Sequence, residues 1–319
     1  MALALRRYLP PVLLPGSPVR RHALFILAVL AACRSDSRPR TPFDGAAALG
    51  YTKTQLDFGP RIPGSEGHRR TGDWLLERGR ATADTVIEQR FRHVTVKGDT
   101  LPLRNILYRF RPRESQRVLY VTHWDSRPVS DGPNENPERR ALPMPGANDG
   151  AAGVGVLVAL AEALKRTPPD VGVDLLFVDG EDYGNFDDGK DVLLGSRYFA
   201  GHLPDSAYRP LYGVLWDMIG KPGARFTQEQ FSLQKAPEVV SLVWKQAQEL
   251  GYASVFVAAP GIAITDDHVP LLGAGLHVID VIDYDYPEHH TTRDVLGMIS
   301  QRSLQTVGDV AYALVVRKE

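Results

Sequence analysis

The sequence predicts an α/β protein: a mixed β-sheet with parallel central strands, flanked by helices. Three observations carry this reading. From residue 117 onward, short apolar runs of strand length alternate with longer runs of helical periodicity. One helical run, GAAGVGVLVALAEALKR (150–166), is apolar nearly all round, as expected of a helix buried among other elements. Several strand-like runs also end in histidines or carboxylates, and open α/β sheets bind ligands at that end of their strands.

The elements follow in order. Residues 43–58 and 65–79 read as two helices separated by FGPRIPG, whose prolines and glycines stop the first while Ser65 caps the second. TVIEQRFRHVTV, PLRNILYRF and RVLYVTHW read as strands, the first two antiparallel neighbours joined through KGDT. The buried helix 150–166 is followed by the strand GVDLLFVD and the helix GSRYFAGHL. Next come the strand LYGVLWDMI, the helix PEVVSLVWKQAQELG and the strand LHVIDVIDY, before a last helix through residues 295–316. One irregular insertion, between Arg127 and Gly146, is too long for an ordinary connection in a compact domain, and loops of that kind are often functional.

The chain has 319 residues, 43% hydrophobic content and a formal net charge of -1, enough for one large globular domain and without the basic bias that nucleic-acid binding requires. Its start reads as a leader. Arg20-Arg21 precede the apolar run ALFILAVLAA, too short to span a bilayer comfortably, which ends at Leu30-Ala31-Ala32-Cys33. The small residues before Cys33, the sole cysteine, resemble the lipobox of bacterial lipoproteins, in which the cysteine is acylated and becomes the mature N-terminus. The expected organisation is a signal peptide over 1–32, a linker over 33–42 and a catalytic domain over 43–319. Acyl chains on Cys33 would tether an exported, monomeric protein to a membrane on the periplasmic side. Arg34, in place of an acid, is compatible with outer-membrane sorting. With no second cysteine, stability must come from packing and any bound metal.

The chemistry concentrates at strand ends. FVDGEDYG (177–184) carries Asp179, Glu181 and Asp182 directly after an apolar run, and carboxylates held that close near a strand end require a compensating cation. Other segments add His123-Trp124-Asp125, Asn148-Asp149, Asp217 and His289-His290. Taken singly, Asp149 is a helix cap, Asp217 a turn former and His123 a core histidine. Taken together, two histidines and three or four carboxylates make a nitrogen and oxygen ligand set suited to zinc. A serine nucleophile lacks its G-x-S-x-G elbow, thiolate metal sites are excluded by the cysteine count, and GAAGVG has no P-loop lysine. Asp36, Asp57, His68, His93 and His202 are expected in linker or helix-surface contexts, without special roles.

In order and spacing, GPRIPGSEGH, HWDS, GANDGAAGV, DGED, LLGSRYFA, WDMIGKPGARF, TDDHVPLL and HHTTRD resemble the zinc exopeptidase superfamily, which includes two-zinc aminopeptidases and the glutaminyl-peptide cyclotransferases. The resemblance covers most of residues 43–316 and implies a three-layer sandwich around a mixed, mostly parallel sheet. It implies that Asp149, Asp182 and His290 hold one zinc, with His290 preferred over His289 for the Thr and Asp that follow it. It makes Glu181 the general acid/base and Asp217 and Asp266 acids hydrogen-bonded with it. His123, Asp149 and Asp217 would form a second zinc set, Asp125 would orient His123, and Asp267 and His268 would support the site.

Three activities follow from the resemblance. A cyclase converts an N-terminal glutamine of peptides or proteins to pyroglutamate with release of ammonia; an aminopeptidase hydrolyses the first peptide bond; an inactive relative only binds. TDDHVPLL and DMIGKPGARF point to the cyclase. Asp182 stands where animal cyclases have glutamate, Asp280 where a histidine shapes their pocket and His289 where they have tryptophan. Asp179 is expected either to support the ligands from behind or to be structural.

Overall fold

The computed structural model describes residues 41–316. The leader, Cys33, Arg34 and Asp36 lie outside the described residues, as does most of the linker. Helix α1 (Gly45–Asp57) is capped by Asp44, whose side chain accepts from the backbone N–H groups of Ala46 and Ala47. Helix α2 (Glu66–Thr82) is capped by Ser65 as expected, with its side chain accepting from His68 N. Strands β1 (Thr85–Val94) and β2 (Thr100–Phe110) form the antiparallel pair, followed by β3 (Arg117–His123).

Helix α3 (Gly153–Arg166) is the all-apolar run, and β4 (Gly172–Val178) and α4 (Leu194–Gly201) follow it. Then come β5 (Tyr212–Asp217), β6 (Phe226–Gln228), α5 (Gln230–Lys235), α6 (Pro237–Glu249), β7 (Phe256–Pro260), α7 (His268–Gly273), β8 (Val278–Ile282) and α8 (Gln301–Ala313). The main sheet has the order β1-β2-β4-β3-β5-β8, antiparallel across β1-β2-β4 and parallel from β4 to β8. This is the mixed sheet with parallel central strands that the alternating pattern predicts.

Alternation along the strands sorts the core into two layers. Val118 and Tyr120 of β3, Phe177 of β4 and Trp216 of β5 join the larger cluster with α1, α2, α3, α6 and α8. Leu119, Val121, Leu176 and Leu215 point the other way, where Phe199 of α4 and Leu271 of α7 cover them.

Three departures from the expected elements have physical reasons. The small parallel pair β6-β7 and the short helices α5 and α7 were not anticipated, because segments of three to six residues are too short to establish a period. The last helix starts at Gln301 with Ser300 as cap, not at residue 295, since Leu296–Met298 form a separate 3-10 turn. The buried helix is preceded by an irregular turn over Ala147–Ala152, in which Asp149 has non-helical φ −111° and ψ 91°.

Candidate active site

Strands β3, β4, β5 and β8 run in one direction, so their C-terminal ends share an edge. His123 closes β3 opposite Val178, and Asp217 closes β5 opposite Ile282. Beyond β4 the chain turns at Gly180, whose φ of 68° is left-handed, and presents Glu181 and Asp182. That turn is fastened by Asp125, whose Oδ1 accepts from Glu181 N at 3.0 Å and whose Oδ2 accepts from Asp182 N at 3.1 Å.

Asp149 is aimed by Asp294 and Asn148. The Asp294 carboxylate accepts from the backbone N–H groups of Asn148 and Asp149 and from the Tyr286 hydroxyl, while Asn148 Oδ1 accepts from Gly220 N at 2.6 Å. The Asp149–Gly150 peptide is cis. Gly150 lies so close to β3 that a Cβ there would fall 2.5 Å from His123 Nε2. His290 has a left-handed φ of 54°, unusual for a residue with a side chain.

The donor atoms converge. One set comprises Asp149, Glu181 and Asp182, a second His123, Asp149 and Asp217, and a third Asp149, His289 and His290; within each set the ligand atoms all lie within 4.8 Å of one another. His290 Nε2 is 3.2 Å from Asp182 Oδ1 and 3.7 Å from Asp149 Oδ2. His123 Nε2 is 3.0 Å from Asp149 Oδ1 and 3.2 Å from Asp217 Oδ1, yet neither ring nitrogen of His123 makes a hydrogen bond. Asp182 Oδ2 and Asp217 Oδ1 are likewise buried without partners. Buried lone pairs of this kind are costly unless something accepts them.

Electrostatics point the same way. Burial, reinforced by Asp182, Asp266 and Asp267, pushes Glu181 well above the usual carboxylate range despite the pull of His123. Burial together with Asp217 and Asp267 does the same to Asp266. Asp280 is raised by burial and by Asp266, Asp217, Glu229 and Asp267. Burial alone would lower the His123 imidazole, but Glu181, Asp125, Asp149 and Asp217 drive it well above its ordinary value. The cluster carries more negative charge than its histidines balance. Unpaired lone pairs, imidazole and carboxylate donors and excess negative charge together fit a divalent cation of intermediate softness.

A cleft of about 750 Å³ opens over these groups, with Asp149, Glu181, Asp217 and Asp266 in its lining. Ile262, 60% exposed, and Tyr284, 47% exposed, stand among its apolar residues. The Tyr284 and His289 rings are 5.1 Å apart, an aromatic pair at the cleft wall.

All the expected site residues among the described ones gather here or directly behind, with several particulars differing. No hydrogen bond joins Glu181 to Asp217 or Asp266 among the described residues; Asp266 Oδ1 accepts from Asp267 N instead, and its influence on Glu181 is through charge. Asp125 stands 3.5 Å from His123 Nδ1, and its hydrogen bonds go to the Glu181–Asp182 backbone. Asp267 is fully buried, and His268 faces Glu229 at 3.3 Å. His289 lies with its ring 3.7 Å from that of His290, and burial with that neighbour lowers it to about 4.

His68 is not a surface residue. It is buried, stacks on Trp124 at 4.4 Å, and holds both oxygens of Asp179, which also accepts from Arg104 N. Asp179 is thereby a strut between α2 and the β4 terminus, the structural one of its two expected roles. His93 is on β1 and paired with Asp191, neither linker nor helix; Asp57 pairs with Lys53 on the α1 surface, and His202 is exposed after α4.

Sequence reasoning missed Arg61, Arg127 and Glu229, and used Asp294 only to choose between His289 and His290. Arg61 is fully buried and donates to the carbonyls of Trp124, Pro145 and Gly146, tying β3 to the turn that carries Asp149. Its position in GPRIPG was the available signal.

Comparison with known proteins follows the same outline. The model of Peptidase family M28 matches residues 105–315. The chain is 28% identical over 293 residues to Aminopeptidase YwaD of Bacillus subtilis, covering 86% of this chain and 58% of that protein, so it spans less than two thirds of that relative's length. Glutaminyl cyclase of Porphyromonas gingivalis superimposes with a TM-score of 0.81 at 38% identity, over 85% of this chain and 97% of that one. A Zn-dependent exopeptidase from Parabacteroides distasonis gives a TM-score of 0.83 at 34% identity, over 88% of this chain and all of that one.

Proposed function

The chain belongs to Peptidase family M28, and on that premise we propose that it is a zinc-dependent glutaminyl-peptide cyclotransferase acting on the N-termini of peptides or proteins. The observation that carries this reading is that His290 Nε2 lies 3.2 Å from Asp182 Oδ1 and 3.7 Å from Asp149 Oδ2, with Glu181 in one donor set with both acids, in a cleft open to solvent. The likeness to the Porphyromonas gingivalis glutaminyl cyclase supports the choice of reaction.

Asp149, Asp182 and His290 would hold the zinc. When bound, it supplies Lewis acidity toward the side-chain amide carbonyl of an N-terminal glutamine. The substrate's own α-amine attacks that carbonyl carbon, the ring C–N bond forms, and the amide C–N bond to ammonia breaks. Glu181 takes the proton that the attacking amine loses and gives it to the departing nitrogen, so no net proton is consumed. Burial suits Glu181 to this task, because it raises the carboxylate's proton affinity. Asp182, Asp266 and Asp267 add to that affinity through their charge. The Tyr284–His289 pair and Ile262 offer the apolar wall against which a glutaminyl side chain would be oriented.

A second reading, metallo-aminopeptidase, is favoured by the second donor set of His123, Asp149 and Asp217. There Glu181 would deprotonate an attacking water. The two are separated by incubating purified protein of defined zinc content with a glutaminyl and a leucyl peptide. Pyroglutamyl product with equimolar ammonia supports the cyclase; free leucine from the second peptide, with no ammonia from the first, overturns it. We further propose that the leader and Cys33 make the protein an exported lipoprotein, which labelling with a radioactive fatty acid tests: loss of label in Cys33→Ser is expected, and retention contradicts it.

A further inference from the structure

The insertion between Arg127 and Gly146 reaches two of the three proposed zinc ligands from outside their own elements. Its grip on His290 is continuous. Gly132 N donates to His290 O at 2.8 Å, and Glu135 Oε2 accepts from Thr292 N, two residues on. Asn134 Nδ2 donates to Pro287 O at 3.1 Å, and Arg293 Nη2 returns a bond to Asn134 O at 3.0 Å. The approach is so close that a Cβ on Gly132 would fall 2.4 Å from His289 O and 2.8 Å from His290 O.

The same segment holds Asp182. Arg127 Nη1 donates to Asp182 Oδ1 at 2.7 Å, while its Nε and Nη2 engage both oxygens of Asp131. Only Asp182 Oδ2 is left unpartnered. The segment is also closed on itself, through Met144 N to Arg127 O and Ser130 N to Arg140 O.

These contacts answer a physical problem. A residue with a side chain in the left-handed region costs about 1–2 kcal/mol, and such a conformation persists only where its surroundings enforce it. His290 has φ 54°, and the bonds that enforce it come from Gly132 and Glu135. Partners that orient ligands commonly change metal affinity by about 10–100-fold.

We propose that residues 127–146 act as a clasp that preorganises the metal centre, with Gly132 and Glu135 positioning His290 and Arg127 positioning Asp182. This rests on the zinc-ligand reading above. The segment thereby sets how tightly metal is held, independently of which reaction follows.

The test measures zinc affinity, by competition with a chromophoric chelator, on metal-stripped and zinc-reloaded protein. Glu135→Ala and Gly132→Ala should each weaken binding by about 10-fold or more. Glu135→Gln, which keeps an acceptor for Thr292 N, should retain most of the affinity, and Glu138→Ala, exposed in the same insertion, should match wild type. If either main variant does not fold, Asn134→Ala, at an exposed position, gives the answer through a faster zinc dissociation rate. Wild-type zinc binding with unchanged affinity in Glu135→Ala and Gly132→Ala, or unchanged dissociation in Asn134→Ala, overturns the clasp alone. Wild-type protein that takes up no zinc overturns the functional reading as well.

Discussion

At the scale of single residues, acids adjacent in sequence have been given different surroundings by the backbone. Asp179 is locked to His68 and Arg104 N, Glu181 is buried without a basic hydrogen-bond partner, and Asp182 shares its Oδ1 with Arg127. Glu181→Gln should therefore abolish turnover of either candidate substrate while zinc content by elemental analysis stays at the wild-type level. Retained turnover contradicts its role. His68→Ala leaves the Asp179 carboxylate buried and short of its main partner, and should cost about 3 kcal/mol in urea denaturation. Glu229 offers a pH test. Burial would raise it, but His268 and the N–H groups of Phe231 and Ser232 outweigh that and hold it at about 2, below its ordinary 4.5. Because the folded value is the lower one, its stabilisation is complete above pH 4.5 and is lost as pH falls toward 2. Glu229→Gln should be less stable than wild type near pH 6, with the gap narrowing on acidification. The ligand types were legible in the sequence because histidines and acids stood at strand ends. Arg61 was not, because the turn that carries it inward leaves no periodic trace, and His68 was not, because its partner on the buried side of α2, Asp179, is far away in sequence.

At the scale of elements, the site depends on how closely α3 lies against the sheet. A Cβ on Gly153 would fall 2.2 Å from Thr122 Oγ1 and 2.5 Å from Trp216 O, and one on Gly155 2.5 Å from Ala48 O. Gly153→Ala must move the helix or its neighbours, at a cost of about 1–3 kcal/mol. Because Asp149 lies just before this helix, zinc affinity should fall with stability; a variant as stable and as tight-binding as wild type would show that the close packing is dispensable. The main strands and α3 were legible because their periods extend over whole elements. The β6-β7 pair was not, since it forms between segments far apart in sequence and Phe226–Gln228 has only three residues. The 127–146 insertion was recognisable as unusual from its length alone, but its contacts with the 287–293 segment are long-range and had no local signature.

At the scale of the whole molecule, the described residues bring acids from β4, β5, the α3 turn and the segment before α7 into one buried region, and each repels the others. Metal binding should consequently stabilise the fold. Zinc at about 100 times its Kd contributes about 2.7 kcal/mol, so for a domain of this size chelation should lower Tm by about 4–5 °C and zinc should restore it. A Tm unmoved by chelation of zinc-loaded protein contradicts this coupling. The central claim, that the strand ends build a zinc centre on Asp149, Asp182 and His290 with Glu181 left free, is tested most directly by anomalous diffraction at the zinc edge from crystals of zinc-loaded protein. The account predicts a single strong peak among those three side chains. A peak elsewhere, or none, would contradict it.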